Sequence, residues 1–495
     1  MRIRSVQESK AGSMPKTQRE RGRREATALV DAARHFPYLA GNGIIGTMST
    51  TTSSMPGALT AVGESRRFER LSLSAFVAVL YAYCAAGPFG FEEMVSRSGP
   101  GMALLFLMIV PWLFSLPMSL VTAEMATAMP VEGGFYRWTR AALGDFWGFQ
   151  CGWWNWTGTF LMNAAYAVVL ADYTAQLLPA SAGGWRHWLV ALFFLVLVAA
   201  LNVRGIRVVG NFTVAMLLMV LLPVAVFTLL GLSQMRVNPF VPLVPPGKPW
   251  REVYGVGLSL ALWLYSGYEQ LSTNTEEVED PVRNFPRALA IMVPLAMFTF
   301  LLPTLAGIGA SGDWQNWTTG YIVTASRKVG GHWLALPMFG AAMVSVLLGL
   351  ESTLLSSTRL PFTMAEDGYF PTRLARLHHR FRTPVQAIVL TTALCALLAV
   401  FRLTQLIAVY TWLRSATSAL TLLAAWRLRH TAPQLARGFR IPGGALGMAA
   451  VVIVPLLLFA WALVNSDRSA LLWGPIYLAL GPIAFLLVRD LRQRK

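Results

Sequence analysis

Three ionisable residues lie inside or next to long apolar segments of the sequence, where a charge is costly unless it is paired or serves a function. Glu269 follows a glycine that interrupts one such segment, and Glu351 and Arg414 lie within two others. A structural interpretation makes Glu351 and Arg414 halves of buried ion pairs, including one with each other, whereas a functional one makes Glu351 a carrier of a proton or a cation. The sequence leaves both open, and all three residues are candidates for gating or ion coupling.

Two apolar segments are interrupted in the same way. The first reads LYAYCAAGPFGFEEMV, with Gly87, Pro88 and Gly90 inside it, and the second reads ALWLYSGYEQLSTNTEEVED, with Ser266 and Gly267 inside it. An interruption at membrane depth frees backbone N–H and C=O groups, which are tolerated there only beside a polar cavity. The N–H groups suit a carboxylate, and the C=O groups suit an ammonium group or another cation.

We expect the two interruptions to face each other and to bind a small molecule. The residues expected to contact it are Ala86, Gly87, Phe89 and Gly90 at the first interruption and Ser266 and Gly267 at the second. A plainer alternative is that the glycines and Pro88 only let helices kink or pack closely. The matched pair of interruptions, five segments apart, favours the binding interpretation.

The composition indicates a membrane protein. The chain has 495 residues, of which 55% are hydrophobic and 13% are charged, so a single soluble core cannot account for its apolar content. Uncharged runs such as residues 208–235 and 441–466 are long enough to cross about 30 Å of hydrocarbon as helices, and they lack the alternation of membrane β-barrels. We predict an all-α integral membrane protein with twelve spans near residues 72–96, 101–123, 146–172, 188–203, 208–234, 252–276, 288–310, 333–358, 383–401, 403–427, 442–465 and 470–488.

The spacing of the interruptions also predicts how the spans are organised. Two discontinuous helices, the first and the sixth, indicate two five-helix units of opposite orientation. The predicted divisions are a basic cytoplasmic tail at residues 1–70, a first repeat at 71–234, an inverted second repeat at 251–428, two peripheral helices at 441–489 and a short cytoplasmic tail at 490–495. We interpret residues 1–70 as disordered, and the alternative is that translation begins later, at Met48 or Met55.

The net charge of +17 would by itself suggest a nucleic-acid partner, but its distribution indicates membrane topology instead. With both termini on one side, the loops and tails of that side hold 31 of the 41 Lys and Arg residues. The positive-inside rule then predicts a multi-pass protein of the cytoplasmic (inner) membrane with both termini in the cytoplasm. The three cysteines lie in or beside predicted spans and no metal motif occurs in the sequence, so we expect no disulfide framework, metal or cofactor.

Several ordered motifs between residues 71 and 442 resemble those of the amino acid, polyamine and organocation superfamily of transporters. They are TAEMATAMPVEGGFYRW after the second span, GDFWGFQCGWWNW in the third, LNVRG after the fourth, EEVEDPVRNFPRAL after the sixth, and STRLPFTMAEDGYFPTRLARL with RTPVQAI after the eighth. Each motif alone is weak, but all occur in the expected order. The segments AGPFGFEEMV and FWGFQCGWWNW look closest to the polyamine-uptake and L-type amino acid branch.

This resemblance implies a ten-helix inverted-repeat core with two peripheral helices, and transport by alternating access. It also implies that Trp263 is an aromatic gate and that Glu269 matches an acid of arginine-exchanging members, although Trp263 could instead face lipid. Polyamine members of the branch carry an acid near the position of Met162. Its absence here favours an amino acid substrate over a polyamine, which remains the alternative.

The coupling ion and the functional class leave alternatives open. A buried carboxylate favours proton coupling, but exchange stays possible, and so does sodium coupling through hydroxyls of the eighth span at Ser352, Thr353, Ser356 and Ser357, although such hydroxyls more often bond to helix carbonyls. A membrane sensor or enzyme is the rival class, yet the spans hold no nucleophile–base pair or metal motif. The expected partners are an amino acid or amine, H+ or Na+, and the lipid bilayer, with no nucleic acid and no indication of oligomeric state.

Overall fold

The computed structural model describes residues 72–85, 87–131, 133–204, 206–270, 272–273, 278–381, 383–466 and 468–493. Every regular element within these ranges is a helix, which confirms the predicted all-α class. Eight of the described helices are long and apolar enough to cross a bilayer, and two further apolar helices are shorter. The predictions for Ala86 and for the tail at residues 1–70 lie outside the described residues.

Each predicted span coincides with one helix or with two consecutive ones. In chain order the helices are α1 (Leu73–Cys84), α2 (Glu93–Ser98), α3 (Pro100–Val110), α4 (Leu116–Ala128), α5 (Gly134–Leu143), α6 (Asp145–Leu177), α7 (Gly184–Arg204), α8 (Ile206–Ser233), α9 (Trp250–Leu264), α10 (Pro281–Ser311), α11 (Tyr321–Gly330), α12 (His332–Ser357), α13 (Arg359–Glu366), α14 (Val385–Leu398), α15 (Leu403–Thr431), α16 (Gly444–Val464) and α17 (Arg468–Gln493).

Proline positions explain several features of these helices. Helices α3 and α10 both begin with a proline, Pro100 and Pro281, at the position where a missing N–H group costs nothing. Helices α3 and α4 form one span joined by a π-helical turn at Pro111–Ser115, where prolines 111 and 117 remove backbone donors. The second predicted span is therefore continuous but locally widened.

Helices α6 and α15 form the centre of the bundle. They pack along each other more extensively than any other pair of described helices, and α6 also contacts α5, α7 and α12. Within the apolar part of α15, 72% of the residues are buried, whereas the corresponding value for α17 is 11%. Helix α17 therefore packs at the surface of the bundle and leaves most of its residues unburied.

Two ionic clusters connect helices of the bundle to segments that follow α13 and α15. Glu124 of α4 accepts hydrogen bonds from Arg429 at 2.8 Å and from the backbone N–H of Ile441 at 2.8 Å. Asp367, which follows α13, accepts a hydrogen bond from the Tyr136 hydroxyl at 2.8 Å and lies 3.1 Å from Arg140. The first cluster ties α4 to the chain that leaves α15, and the second ties α5 to the end of α13.

Candidate functional site

The first interruption separates α1 from α2. Helix α1 ends at Cys84, α2 begins at Glu93, and Gly87 and Gly90 between them have φ angles of 129° and 91°. Such angles are open to glycine and strained for other residues. A Cβ atom at Gly87 would lie 2.8 Å from the Ser345 Oγ of α12 and 2.9 Å from a methyl group of Val220 in α8. The interruption is therefore packed closely against both helices.

The second interruption follows α9 and lies directly against the first. Helix α9 ends at Leu264, and Gly267 has a φ angle of 111°. A Cβ atom at Gly267 would lie 2.5 Å from the ring of Tyr83 and 3.4 Å from Cys84 Sγ, at the end of α1. The structure thus confirms that both helices are broken near Gly87 and Gly267 and that the two breaks meet.

Three backbone N–H groups of the first interruption already have partners. Gly87 donates to the Ala85 carbonyl at 2.6 Å, and Phe89 donates to the Gly87 carbonyl at 2.9 Å. Gly90 donates to a carboxylate oxygen of Glu92 at 2.9 Å, and the other oxygen of Glu92 accepts from Gly320 at 3.2 Å. Sequence reasoning did not assign Glu92 to the site, although an acid immediately after a Gly-Pro-Phe-Gly interruption was a signal that could have done so.

Trp263 lies over the first interruption. Its side chain is only 6% exposed, and its ring approaches to 3.6 Å from the position of a Cβ atom on Gly90. The ring of Tyr166 from α6 lies beside it, with the two ring centroids 6.1 Å apart. The alternative in which Trp263 faces lipid is therefore wrong, and the role of this residue as an aromatic gate stays a prediction.

Glu269 and Arg414 form a buried ion pair beside the second interruption. A guanidinium nitrogen of Arg414 lies 2.8 Å from Oε1 of Glu269, and their side chains are 6% and 0% exposed. The hydroxyl of Ser418, one turn further along α15, donates to the same carboxylate oxygen at 3.2 Å. Arg414 therefore pairs with Glu269, and the suggested pairing of Arg414 with Glu351 is wrong.

Uncharged polar side chains extend this pair across three helical segments. The amides of Asn155 and Gln270 donate to each other's oxygens at 3.1 Å, and Arg414 donates to the Gln270 oxygen at 3.1 Å. Ser266 donates to the Trp263 carbonyl at 2.8 Å, and its oxygen lies 3.1 Å from the Tyr410 hydroxyl. The network joins α6, the second interruption and α15. Sequence reasoning missed Asn155, Gln270 and Tyr410, because their pairing depends on helix contacts between distant parts of the chain.

Glu351 lies apart from the ion pair, on α12. It is 6% exposed, and Asn202 of α7 donates to its Oε1 at 3.2 Å. Of the neighbouring hydroxyls considered for sodium, Ser356 and Ser357 donate to helix carbonyls, as such hydroxyls commonly do. Within the described part of the chain, no group of three or more His, Cys, Asp or Glu side chains is arranged to hold a metal ion.

A small cavity lies against the ion pair. It reaches Arg414 from the side of the π-helical turn at Pro111–Ser115 and of α16, and it is mainly apolar. Its lining residues are Phe114, Leu262, Trp263, Tyr410, Thr411, Arg414, Ser415 and Phe459. Of the residues predicted for the site, Trp263 and Arg414 line this cavity.

A family model described as amino acid permease matches residues 70–485, a range that contains both interruptions and the ion pair. The chain belongs to this family. The permease is thus a multi-pass membrane protein of the amino acid, polyamine and organocation superfamily, as the sequence motifs predicted. Membership also agrees with the expectation that the chain is a transporter and not an enzyme.

The permease is similar to several named transporters. It is 31% identical over 414 residues to a probable polyamine transporter of Arabidopsis thaliana, which covers 83% of this chain and 85% of that protein. It is 29% identical over 419 residues to polyamine transporter PUT1 of Oryza sativa subsp. japonica, covering 84% and 77%. It is 27% identical over 301 residues to an uncharacterized transporter of Mycobacterium tuberculosis, covering 60% and 66%.

Proposed function

We propose that this permease carries an amino acid across the cytoplasmic membrane by alternating access, with the substrate bound between the two helix interruptions. The observation that supports this most strongly is the buried pair of Glu269 and Arg414, 2.8 Å apart. A zwitterionic amino acid carries the same two charges. Its ammonium group can replace Arg414 at Glu269 while its carboxylate takes the guanidinium, so that no buried charge is left without a partner.

The proposed binding residues surround this pair. Gly87, Phe89 and Gly90 contribute backbone at the first interruption, and Ser266 and Gly267 contribute backbone and a hydroxyl at the second. Ala86 belongs to the same proposed set. Trp263, whose ring lies beside that of Tyr166, covers the site as a gate, and water is excluded where charges are exchanged.

Orientation and organisation are part of the proposal. The loops rich in Lys and Arg lie in the cytoplasm together with both termini, because positively charged loops are retained on that side. Residues 71–234 and 251–428 are the two repeats that move relative to each other, and residues 441–489 are peripheral. Transport is coupled to protons or runs as exchange, with Glu269, Glu351 and Arg414 as the gating and coupling residues.

Counterflow in liposomes tests the proposal. Purified protein is reconstituted in vesicles loaded with one unlabelled compound, and uptake of the labelled compound is followed for each member of a panel of amino acids. We expect rapid exchange of at least one neutral or charged amino acid. That compound should also raise the thermal stability of the purified protein, because a ligand at 100 times its dissociation constant adds about 2.7 kcal/mol.

A polyamine is the second candidate, and two observations favour it. The named plant relatives are polyamine transporters by their names, and Glu92 already supplies a carboxylate to the Gly90 N–H group, so that a substrate without a carboxylate would leave no donor unsatisfied there. Putrescine and spermidine therefore belong in the panel. Exchange of polyamines with no exchange of any amino acid would overturn the first proposal, and exchange of neither would favour a sensor or enzyme.

Arg414→Gln separates the two candidates in a single protein. The substitution removes the cation that we expect to hold a substrate carboxylate, and it also frees Glu269 for a substrate cation. Amino acid affinity should fall, whereas polyamine affinity should rise because a competing positive charge is gone. Binding of both ligand classes to parental and variant protein gives the comparison, with Arg402→Gln in a surface loop as the control.

A further inference from the structure

Glu351 lies in a polar pair that lacks one hydrogen-bond donor. Its carboxylate is 6% exposed, and its Oε1 accepts from the Nδ2 of Asn202 at 3.2 Å. The second oxygen, Oε2, is buried without a hydrogen-bond partner. An acid in this position has no compensation for a full negative charge, because an uncharged amide is the only partner of Glu351 that the described residues supply.

Asn202, like Glu351, has a buried oxygen that lacks a hydrogen-bond donor. Its Nδ2 also donates to the Val198 carbonyl at 3.1 Å, so the donors of the amide are used. Its Oδ1 is buried without a donor. Two acceptors in one side-chain pair, Glu351 Oε2 and Asn202 Oδ1, thus lack the same kind of partner, and buried acceptors in that state are unusual.

Resting on the proposed transport function, we propose that Glu351 and Asn202 form a proton-binding site of the permease. A proton from the aqueous phase adds to Oε2 of Glu351, and the resulting O–H group donates to Oδ1 of Asn202. One proton then supplies the missing donor and removes the buried charge. When the carrier exposes the pair to the other side, the proton leaves to water and Glu351 becomes a carboxylate again, so one proton crosses in each cycle.

Among the described side chains of the neighbouring elements, no cation takes over this role. Helix α6 presents Tyr166 next to α12, α7 ends with the exposed Arg204, and α13 begins with Arg359. Among the described side chains, none of these forms an ion pair with Glu351, whereas Glu269 is neutralised by Arg414. The hydroxyls of Ser352 and Thr353 are not hydrogen-bonded to Glu351 either.

A metal cation fits this pair less well than a proton. A sodium ion needs several oxygen ligands, but Asn202 directs its N–H group, and not its oxygen, towards the carboxylate. Turning the amide over would bring oxygens together and would also remove the donation to Val198. The arrangement is suited to a carboxylic acid and an amide that bond to each other in both directions.

The test uses Glu351→Gln in reconstituted vesicles. Glutamine has the shape of the protonated acid and supplies a permanent donor to Asn202, so the variant mimics the site with its proton bound. We expect loss of substrate accumulation driven by a pH gradient, and we expect the counterflow rate to become independent of pH. Glu252→Gln, which alters a partly exposed acid in the first turn of α9, should keep the parental accumulation and pH profile.

Several results would overturn the proposal. Accumulation by Glu351→Gln that follows a pH gradient as the parent does would remove Glu351 from coupling. The proposal would also be overturned if the parental protein accumulated substrate with a sodium gradient while a pH-sensitive dye inside the vesicles reported no proton entry. Failure of the parental protein to exchange any substrate contradicts the proposed function itself, and this outcome is distinguishable because counterflow needs no gradient.

If Glu351→Gln does not fold, the variant Glu351→Asp tests whether Glu351 and Asn202 bind the proton together. It keeps an acid but draws it back from Asn202 by one methylene group, so proton entry should persist and its pH midpoint should shift. An unchanged midpoint in a stable Glu351→Asp protein would count against the pair.

Discussion

Arg414 and Glu269 are each buried so deeply that neither charge would be stable there without the other. Ser418 and Gln270 each add one hydrogen bond to the pair, whereas Glu269 Oε2 and two guanidinium nitrogens of Arg414 have no hydrogen-bond partner among the described residues. The cost of breaking such a pair is also what makes it useful to a carrier. A substrate that matches both charges can open it, and a substrate that matches only one leaves an unpaired charge behind.

Glu269→Gln should therefore destabilise the protein as well as impair transport. The variant leaves Arg414 charged and unpaired, which costs about 3–5 kcal/mol in buried pairs of this kind. The double variant Glu269→Gln/Arg414→Gln should recover much of the lost thermal stability but not transport. Thermal unfolding of purified protein and counterflow in vesicles give the two measurements.

The partly exposed Glu252 provides the control, because its ion pairs lie at the surface and contribute little. A Glu269→Gln protein with parental stability and parental transport would contradict the role of the pair.

At the residue scale, the sequence identified the charged groups but not their partners. Glu269 could be predicted because it is an acid close after a helix break. Arg414 could be predicted because a charge inside an apolar span is costly unless it is paired or functional. The pairing of Glu269 with Arg414, and of Glu351 with Asn202, depends on which faces of distant helices meet. That information is absent from the local pattern around each residue.

The two helix interruptions are in direct contact, and glycine is required at the contact. Gly267→Ala should destabilise the protein and strongly reduce transport, because its methyl group would overlap the ring of Tyr83 and its φ angle of 111° adds strain of about 1–3 kcal/mol. Gly340→Ala on α12 is the matched control, since the nearest atom to its new methyl group would be a flexible Met219 carbon at 3.9 Å. Thermal stability and counterflow are compared, and equal behaviour of the two variants would contradict the tight contact.

The segment between α10 and α12 should depend on pH through Asp313. The Lys328 ammonium and the Tyr321 hydroxyl each donate to this carboxylate at 2.8 Å, and the hydrogen bond from Lys328 holds the pKa of Asp313 below its usual range. Because the folded-state pKa is lower than the unfolded one, the contribution is present above about pH 4 and is lost as pH falls through the folded value.

Hydrogen exchange across residues 313–330 provides the measurement, and exchange should accelerate at acidic pH in the parental protein. Asp313→Asn should show faster exchange at neutral pH and a weaker change on acidification. A pH response that is identical in both proteins would assign the effect to another group. This segment also carries Gly320, the partner of Glu92, so its order affects the first interruption.

At the element scale, the sequence predicted the spans well because uncharged apolar runs of about 20 residues usually form membrane-spanning helices. Both breaks could also be placed, since Gly87 and Gly267 interrupt otherwise helical patterns. The capture of the Gly90 N–H group by Glu92 could not be predicted with the same rules. A general expectation that half-helix N–H groups remain free for a substrate ignores side chains of the same segment that can reach them.

At the scale of the whole molecule, the basic loops give a testable orientation. A green fluorescent protein fused after Lys495 should fluoresce, because it folds and matures in the cytoplasm, where we propose both termini lie. A fusion truncated after Gly312, within the loop that follows α10, should be dark because that loop faces the other side. The reverse pattern would invert the proposed topology and, with it, the side of the membrane assigned to the Glu124 and Asp367 clusters.

The family of the protein could be predicted from the order of its motifs, whereas its substrate cannot be predicted from those motifs. Met162 is buried on α6, in agreement with an apolar side chain where an acid would favour polyamines, but the Glu92 carboxylate adds negative charge at the neighbouring interruption. Substrate choice depends on the sum of these charges around one small region. Sequence motifs that define the helices do not determine that sum.

The native thiols bear on how motion in this permease can be followed. Cys84, Cys151 and Cys395 are 6%, 0% and 0% exposed, so reagents that attack accessible sulfur should leave them unmodified in the folded protein. Cysteines introduced at Arg97, at the end of α2, and at Ala182, in the loop after α6, would then carry the spin labels without prior removal of the native ones. The distance distribution between those labels, with and without substrate, would report how far α2 moves during a transport cycle.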